Sequence, residues 1–370
     1  MNQNAAFKIG IIGWRGMVGQ VLLARFNATN ALNHTQVYLF STAATETQNI
    51  KLKAQSIAFK QSDDPIALEH CDILISCQGS EYTKRTLTKL RQNGWAGYWL
   101  DAASYLRLDP EALLVLDPIN QDAITSALLN DQKTFVGPNC CTALLLLALQ
   151  GLYDKDVIQH VDTHTYQAIS GAGSQQLKNY LNQLDAASND IDVDNLMHTC
   201  QLLDHPEKNH TILNNVVPWI DVLCEHGSTK EELKFENEAS KLYQRSIPIS
   251  ATCVRVNALR CHSQSVTLTL NKHYPLNDIK HWLAQGNAWI KHIEDDQPDQ
   301  LSPKQITNTL DIAIGRIRQD KHRPNVIHLF TMGDQLLWGA AEPLVRACQM
   351  ILNHLNQALG TKTDQLDCVK

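Results

Sequence analysis

The stretch FVGPNCCTALLLLALQGL, residues 135–152, sets two adjacent cysteines between a Pro-Asn turn and an apolar run that reads as a buried helix. A thiol at a helix N-terminus sits in the partial positive charge of unpaired amides, which favours the thiolate and makes Cys140 a candidate nucleophile. The plainer reading is a core thiol, because cysteine is among the most often buried residue types and the chain carries ten. Cys141, one step on, is expected to point into the leucine-rich core. A nucleophile needs a base, and LRCHSQSVTL offers His262, although most of 15 histidines must be structural. His262 follows Arg255 and Arg260 just before an apolar strand, where unpaired charge is costly. Arg255 and His262 are an odd number of residues apart, so one flat strand would face them to opposite sides. They can share a site only if the chain turns or bulges near Asn257. Beside a nicotinamide, such a thiol suits attack on an aldehyde, hydride transfer to leave a thioester, and transfer of the acyl group.

The motif that suggests a nicotinamide is GIIGWRGMVGQVLL. Gly13, Gly16 and Gly19 follow a first strand and open a first helix, where bare amides and the helix dipole face a phosphate-sized site. The spacing is G-x-x-G-x-x-G rather than G-x-G-x-x-G, and glycines also serve tight turns and close packing. At the end of the second strand, where an acid would bond the ribose of NAD, VYLFSTAAT offers Ser41 and Thr42, while Arg15 lies in the glycine loop. Hydroxyls beside a guanidinium suit a 2'-phosphate and predict NADP. The alternative makes Ser41 and Thr42 caps and Arg15 a surface charge, and a carboxylate nearby would restore NAD.

The elements that must position these residues alternate. FKIGIIG, TQVYLFST, CDILISCQGS and GYWLDAAS read as buried strands with helical stretches between several of them, which predicts a doubly wound parallel sheet. Later segments, QHVDTHTYQAIS and TCVRVNALRCHSQSVTLTL, are β-branched and partly alternating, as in a mixed or antiparallel sheet with one covered face. The fold class is therefore α/β, with a Rossmann-type nucleotide domain and an α+β second domain beginning near Asn139. In the C-terminal EPLVRACQMILNHLNQALG, Leu344, Cys348, Ile351, Leu355 and Leu359 form one helical stripe, with Gly360 suited to cap it.

Composition narrows the partners. The 370 residues are 44% hydrophobic and 19% charged, with net charge −6 and no basic tail, which argues against nucleic acid or an anionic membrane surface. No apolar run is long enough to cross a bilayer, and the N-terminus reads as a strand rather than a signal peptide. The expected setting is the cytoplasm, with reduced thiols and a small-molecule substrate.

Taken in order, IGWRGMVG, CQGSEYT, GYWLDAAS, FVGPNC, TYQAISGAG, CVRVNALRCHSQ and GDQLLWGAAEPL resemble the aspartate-β-semialdehyde dehydrogenase family, particularly its enteric-bacterial form, over nearly the whole chain. The resemblance implies NADPH-dependent reduction of aspartyl phosphate to aspartate semialdehyde with release of inorganic phosphate, in a homodimer without metal. It makes Cys140 the nucleophile, His262 the acid/base and Gln167 the residue that orients thiol and acyl group. Arg255 would bind the substrate's α-carboxylate, Glu238 its amino group, and Arg107 and Lys241 the phosphate. The residues implied for the cofactor are Gly13, Trp14, Arg15, Gly16, Met17, Val18, Gly19, Ser41, Thr42, Gln78, Ser170, Gly171, Gly173 and Gln335. Taken alone, Arg107 and Lys241 read as surface charges on helical turns, and SGAGS as a helix-start turn capped by Ser174. The implied domains are 1–138 for NADP, completed by the helix 345–370, and 139–344 for catalysis and dimerisation.

Two departures stand out. Enteric relatives mostly read G-G-N-C-T where this chain has Gly-Pro-Asn-Cys-Cys, and little of 185–218 matches a segment that carries dimer contacts there. Adjacent thiols also raise an oxidative link between Cys140 and Cys141, against which stands the strain of a vicinal disulfide. The other functions open to the sequence are a related acyl-phosphate reductase and a non-catalytic NADP-binding paralogue.

Overall fold

A computed structural model describes residues 7–42, 50, 52–187, 212–213 and 215–367. Most of the 185–218 stretch and the last residues of the predicted 345–370 helix lie outside them. The chain forms two compact units, one comprising residues up to Asn139 with Lys241–Tyr243 and the chain from Gly339, the other Cys140–Ser240 with Gln244–Trp338.

In the first unit, β1 (Lys8–Ile12), β2 (Gln36–Ser41), β3 (Ser56–Gln61), β4 (Ile73–Ser76), β5 (Tyr98–Asp101), β6 (Leu113–Leu114) and β7 (Thr134–Val136) form a wholly parallel sheet in the order β3-β2-β1-β4-β5-β7-β6. Its central strands are apolar at successive positions because helices cover both faces. Ile9, Ile11, Leu39, Ile73 and Leu100 pack with Leu22 and Phe26 of the helix Met17–Thr29 and with Leu344, Cys348 and Ile351 of the helix Glu342–Asp367. Arg346 forks onto both oxygens of Asp117, and Arg25 pairs with Glu342, so two ion pairs orient that last helix. The predicted stripe holds as far as Leu355, which packs on the core, but Leu359 is exposed. Nor does Gly360 cap the helix, which runs on to Asp367; the residues after it include no proline and nothing that must leave the helical ladder.

The glycine loop connects β1 to the helix Met17–Thr29. Gly13 has φ +74°, a region open to glycine at no steric cost, and its N–H donates to the Phe40 carbonyl. Gly19 is needed for space: a Cβ there would lie 2.5 Å from the Gly13 oxygen and the Trp14 Cα. Trp14 turns its indole into the core against Phe59, ring centroids 5.9 Å apart.

The second unit holds a mixed sheet in the order β11-β12-β13-β10-β8-β9, built from β8 (Ile158–Gln167), β9 (Ile249–Arg255), β10 (His262–Leu270), β11 (Ile290–His292), β12 (Ile312–Gln319) and β13 (Val326–Gly333). β8 and β9 are parallel, as are β11 and β12, and the other pairs are antiparallel. The helix Cys140–Tyr153 packs on β8, β12 and β13 on one side and on the helix Leu276–Ala284 on the other. Covered on both sides, it buries every residue from Cys141 to Tyr153, which explains a leucine run without amphipathic spacing. Among the described residues no helix is long and apolar enough to cross a membrane. Substituting Gly19→Ala is expected to cost about 1–3 kcal/mol through overpacking, read as a lower denaturant midpoint with an unchanged slope.

Candidate active site

The segment CVRVNALRCHSQ does not bulge within one strand. β9 ends at Arg255, the chain turns through residues 256–261 with Cys261 at φ +77°, and β10 begins at His262. Those two strands flank β8, so Arg255 pairs with Gln167 on one side while Ser263 lies opposite Tyr166 on the other. Three predicted residues thus stand at the ends of three adjacent strands. The turn is held to the chain after β8, with the Ile169 and Ser170 amides donating to the Ala258 and Leu259 carbonyls. Val217, in the stretch that matches no motif, brackets Arg255 by a pair of backbone hydrogen bonds.

Ala168 links the two charged side chains. Its N–H donates to His262 Nδ1 at 3.0 Å, and its carbonyl accepts from Arg255 Nη1 at 2.7 Å. Because Nδ1 is an acceptor, the neutral imidazole carries its proton on Nε2. That Nε2 is fully buried and has no hydrogen-bond partner among the described residues. Space over the ring is made by Gly171, where a Cβ would come 2.8 Å from His262 Cε1, 2.9 Å from Nε2 and 3.1 Å from Arg255 Nη1.

Cys140 opens the helix Cys140–Tyr153. That first turn is anchored to the sheet by Gln264, which donates to the Cys141 carbonyl at 2.9 Å and accepts from Thr163 at 3.0 Å. The two sulfurs and a ring nitrogen of His262 lie within 4.8 Å of one another. Cys141 is buried as expected, yet its thiol faces this cluster rather than serving only as filler. A hydrogen bond from Cys141 holds the Cys140 thiol well below the ordinary thiol range; burial opposes this and the His262 side supports it. Burial and the neighbouring thiolate push Cys141 well above that range, so it stays a donor. Neither cysteine is in a disulfide. Among the described residues this is the one group of three His, Cys, Asp or Glu side chains close enough to hold a metal ion. A metal would need the Nε2 lone pair, which the Ala168 amide denies by keeping the proton there.

The remaining predicted residues fall into separate groups. Arg260 pairs with Asp334, so its charge is used structurally. Arg107 is buried, not a surface charge; its guanidinium donates to the Gly137 and Ala102 carbonyls. Lys241 donates to the carbonyls of Arg107 and Asp109 at 2.9 and 2.6 Å, so structure brings these two cations together within the first unit. Glu238, one turn before Lys241 on the helix Lys230–Tyr243, is buried at 1% exposure.

Along the glycine loop, Met17 and Val18 are half-buried, Arg15 is exposed beside the Trp14 ring, and Trp14 can offer only its backbone. Gln78 is exposed after β4, with Oε1 3.0 Å from where a Gly13 Cβ would stand. Ser41 is buried and Thr42 exposed at the end of β2, and the residues that follow, 43–49, are outside the described set. In the second unit, Gln335 donates to Ser170 Oγ at 2.5 Å and accepts from the Cys261 amide at 2.8 Å. Gly173, at φ +93°, leads into the helix Ser174–Ala187, in which Ser174 is already the first residue.

Glu231 is outside the residues singled out above, although with Lys234 it has the same acid-x-x-lysine spacing as Glu238 with Lys241. It is buried, and Gln167 Nε2 donates to its Oε1 at 3.3 Å. An acid two residues after Thr229, the N-cap, looks like ordinary helix-start charge; only β8 brought alongside gives it another meaning.

A parallel nucleotide-type sheet and a sheet-end cluster of thiol, imidazole, amide and guanidinium describe a two-domain dehydrogenase. Residues 8–127 match the family description "Semialdehyde dehydrogenase, NAD binding domain" and residues 149–338 match "Semialdehyde dehydrogenase, dimerisation domain". The chain is 41% identical to an aspartate semialdehyde dehydrogenase from Francisella tularensis, covering 93% of this chain and 99% of that one with a TM-score of 0.89. It belongs to the aspartate-semialdehyde dehydrogenase family and is an oxidoreductase of that family. Two further structures share the fold: aspartate semialdehyde dehydrogenase II complexed with ASA from Vibrio cholerae, at 22% identity, TM-score 0.81 and coverage of 95% and 99%, and an aspartate semialdehyde dehydrogenase with NADP from Candida albicans, at 18%, 0.64 and the same coverage.

Iodoacetamide is expected to alkylate Cys140 at pH values where an ordinary thiol is protonated. Cys141→Ala removes the donor that favours the thiolate, so it should move the alkylation midpoint to higher pH; an unmoved midpoint would count against that hydrogen bond. Gly171→Ala should lower turnover by about 10-fold or more by displacing the His262 ring, and the same crowding should cost about 1–3 kcal/mol of stability.

Proposed function

We propose that this chain reduces L-aspartyl-4-phosphate to L-aspartate-4-semialdehyde with NADPH, through a thioester on Cys140. The observation that supports the reading is the Ala168 backbone, which holds both the Arg255 guanidinium and a His262 ring whose proton-bearing Nε2 stands beside the Cys140 and Cys141 thiols.

The glycine loop fits a dinucleotide. Gly13 and Gly19 let the loop fold closely on itself at the start of the helix Met17–Thr29, which has no acid in its first turn. Gly16, Met17 and Val18 would cradle the pyrophosphate, Ser41, Thr42 and Arg15 the 2'-phosphate, and Gln78, Ser170, Gly171, Gly173 and Gln335 the nicotinamide side. NADP is supported over NAD by the absence of an acid at Ser41 or Thr42 and by the exposed Arg15. When bound, the reduced nicotinamide supplies the hydride.

The chain's own residues do the rest. Arg255 holds the α-carboxylate, Glu238 the amino group, and Arg107 with Lys241 the phosphate. The Cys140 thiolate attacks the acyl carbon, the C–O bond to phosphate breaks, and inorganic phosphate leaves. Gln167 orients thiol and acyl group, and amides at the start of the helix Cys140–Tyr153 receive the oxyanion. Reduction leaves a tetrahedral oxyanion to which the neutral His262 gives its Nε2–H as a hydrogen bond; as it collapses the C–S bond breaks, the aldehyde C=O forms and the Cys140 thiolate returns. In the reverse direction phosphate, not water, releases the acyl group. The matched dimerisation domain supports a homodimer, and the activity suits the cytoplasm, feeding lysine, threonine, methionine and diaminopimelate synthesis.

The test is phosphate-dependent reduction of NADP with aspartate semialdehyde, with NAD in parallel. Cys140→Ser should lose about 10⁴-fold or more in kcat. No turnover by the wild type would transfer the chemistry to another acyl phosphate, and no nicotinamide reduction with any would make the chain a binding paralogue.

A further inference from the structure

The proposed reaction consumes one sulfur, yet two stand at the site. Cys140 and Cys141 open the helix Cys140–Tyr153, and their sulfurs lie within 4.8 Å of each other and of a ring nitrogen of His262. The second thiol sits where enteric relatives mostly carry threonine, so the transfer of an acyl group does not require it. The two differ in access, Cys140 being half-buried and Cys141 buried. They differ in charge as well, since Cys140 is held as a thiolate while Cys141 keeps its proton. Burial pushes Cys71, Cys77, Cys253, Cys261 and Cys348 above the ordinary thiol range. An oxidant that needs a thiolate within reach of solvent is therefore directed to Cys140.

We propose that Cys140 and Cys141 form a reversible oxidation site, in which a hydroperoxide oxidises Cys140 and Cys141 closes a disulfide onto it. In the first step the Cys140 thiolate attacks one oxygen of the peroxide; the O–O bond breaks, the departing oxygen takes a proton from water and leaves as an alcohol or as water, and Cys140 becomes S–OH. In the second, the Cys141 sulfur attacks the Cys140 sulfur, the S–O bond breaks, and the hydroxyl leaves with the Cys141 proton as water. The two sulfurs give up two electrons, which the peroxide bond takes.

The asymmetry of the pair orders these steps. While Cys140 is anionic, its charge helps to keep Cys141 protonated and unreactive. Conversion to the neutral S–OH removes that charge, so Cys141 becomes the easier thiol to deprotonate only after its neighbour has been oxidised. The link joins neighbours in the chain and is strained. The first amides of a helix have no partner within it, so a turn of the Cys140–Cys141 peptide opens less of the ladder here than it would in mid-helix. Strain also makes a disulfide easy to reduce, which suits a temporary guard against further oxidation of Cys140 to the sulfinic acid.

Trypsin releases residues 134–155 as one peptide whose only cysteines are Cys140 and Cys141. After treatment of the native protein with hydrogen peroxide and trapping of remaining thiols with N-ethylmaleimide, that peptide should be lighter than its reduced form by about 2 Da and carry no maleimide. Dithiothreitol should restore both its mass and the turnover. Cys141→Thr, which installs the residue of enteric relatives, should instead gain about 32 Da as the sulfinic acid, with at least about 5-fold less of the lost turnover recovered by dithiothreitol. If that variant fails to fold, Cys141→Ser carries the same comparison, and the wild-type mass is decisive without either. A wild-type peptide bearing a sulfinic acid with Cys141 still open to maleimide, or a cross-link from Cys140 to the peptide carrying Cys253, would overturn the proposal. The peptide mass reports the link whether or not aspartate semialdehyde is turned over, so failure of the link and failure of the substrate reading show separately.

Discussion

The site depends on one residue's backbone. Ala168 follows the last residue of β8, which lies between β10 and β9, and its N–H and carbonyl are the partners of His262 and Arg255. Backbone atoms at a strand end have little freedom, so they locate a ring and a guanidinium more firmly than a side chain would. They also choose the tautomer: an N–H directed at Nδ1 leaves the proton on Nε2, among the thiols. Gly171, a few residues on, clears the space that this arrangement occupies.

The chemistry of the thiols follows from where they sit. A buried helix start offers amides and low solvent exposure, which work in opposite directions on a thiol. The balance here is set by asymmetry between neighbours. Cys141, deep in the core, keeps its proton and gives a hydrogen bond; Cys140, at the first helical position, receives it. Gln264 holds that helix start to the sheet through the Cys141 carbonyl, so the nucleophile candidate is placed by the same strand that carries His262.

Much of this is legible in the amino-acid sequence. Parallel strands, the glycine loop, the leucine helix and the identities of Cys140, Gln167, Arg255 and His262 follow from local pattern or from motifs in order. Other features are not. Arg107 looks like an ordinary surface charge because a sequence shows a charge but not its burial. Glu231 with Lys234 and Glu238 with Lys241 have the same spacing, and only the fold shows that Lys234 pairs with Glu231 and that Lys241 reaches the Arg107 and Asp109 carbonyls. Gly360 reads as a cap, yet the chain after it stays helical.

Arg255 and His262 show the division most clearly. Their sequence spacing demands a turn or a bulge, and both are compatible with the residues between them. A hydrogen-bond ladder between distant strands decides it: the turn crosses over the chain following β8, and the two residues come to flank one strand. By itself the sequence determined residue chemistry and local periodicity, because side-chain types and hydrophobic spacing act within a few residues. Tertiary structure alone decided burial, tautomer and the partner of each charge, because those depend on groups far apart in the chain, 94 residues for Ala168 and His262 and 317 for Arg25 and Glu342.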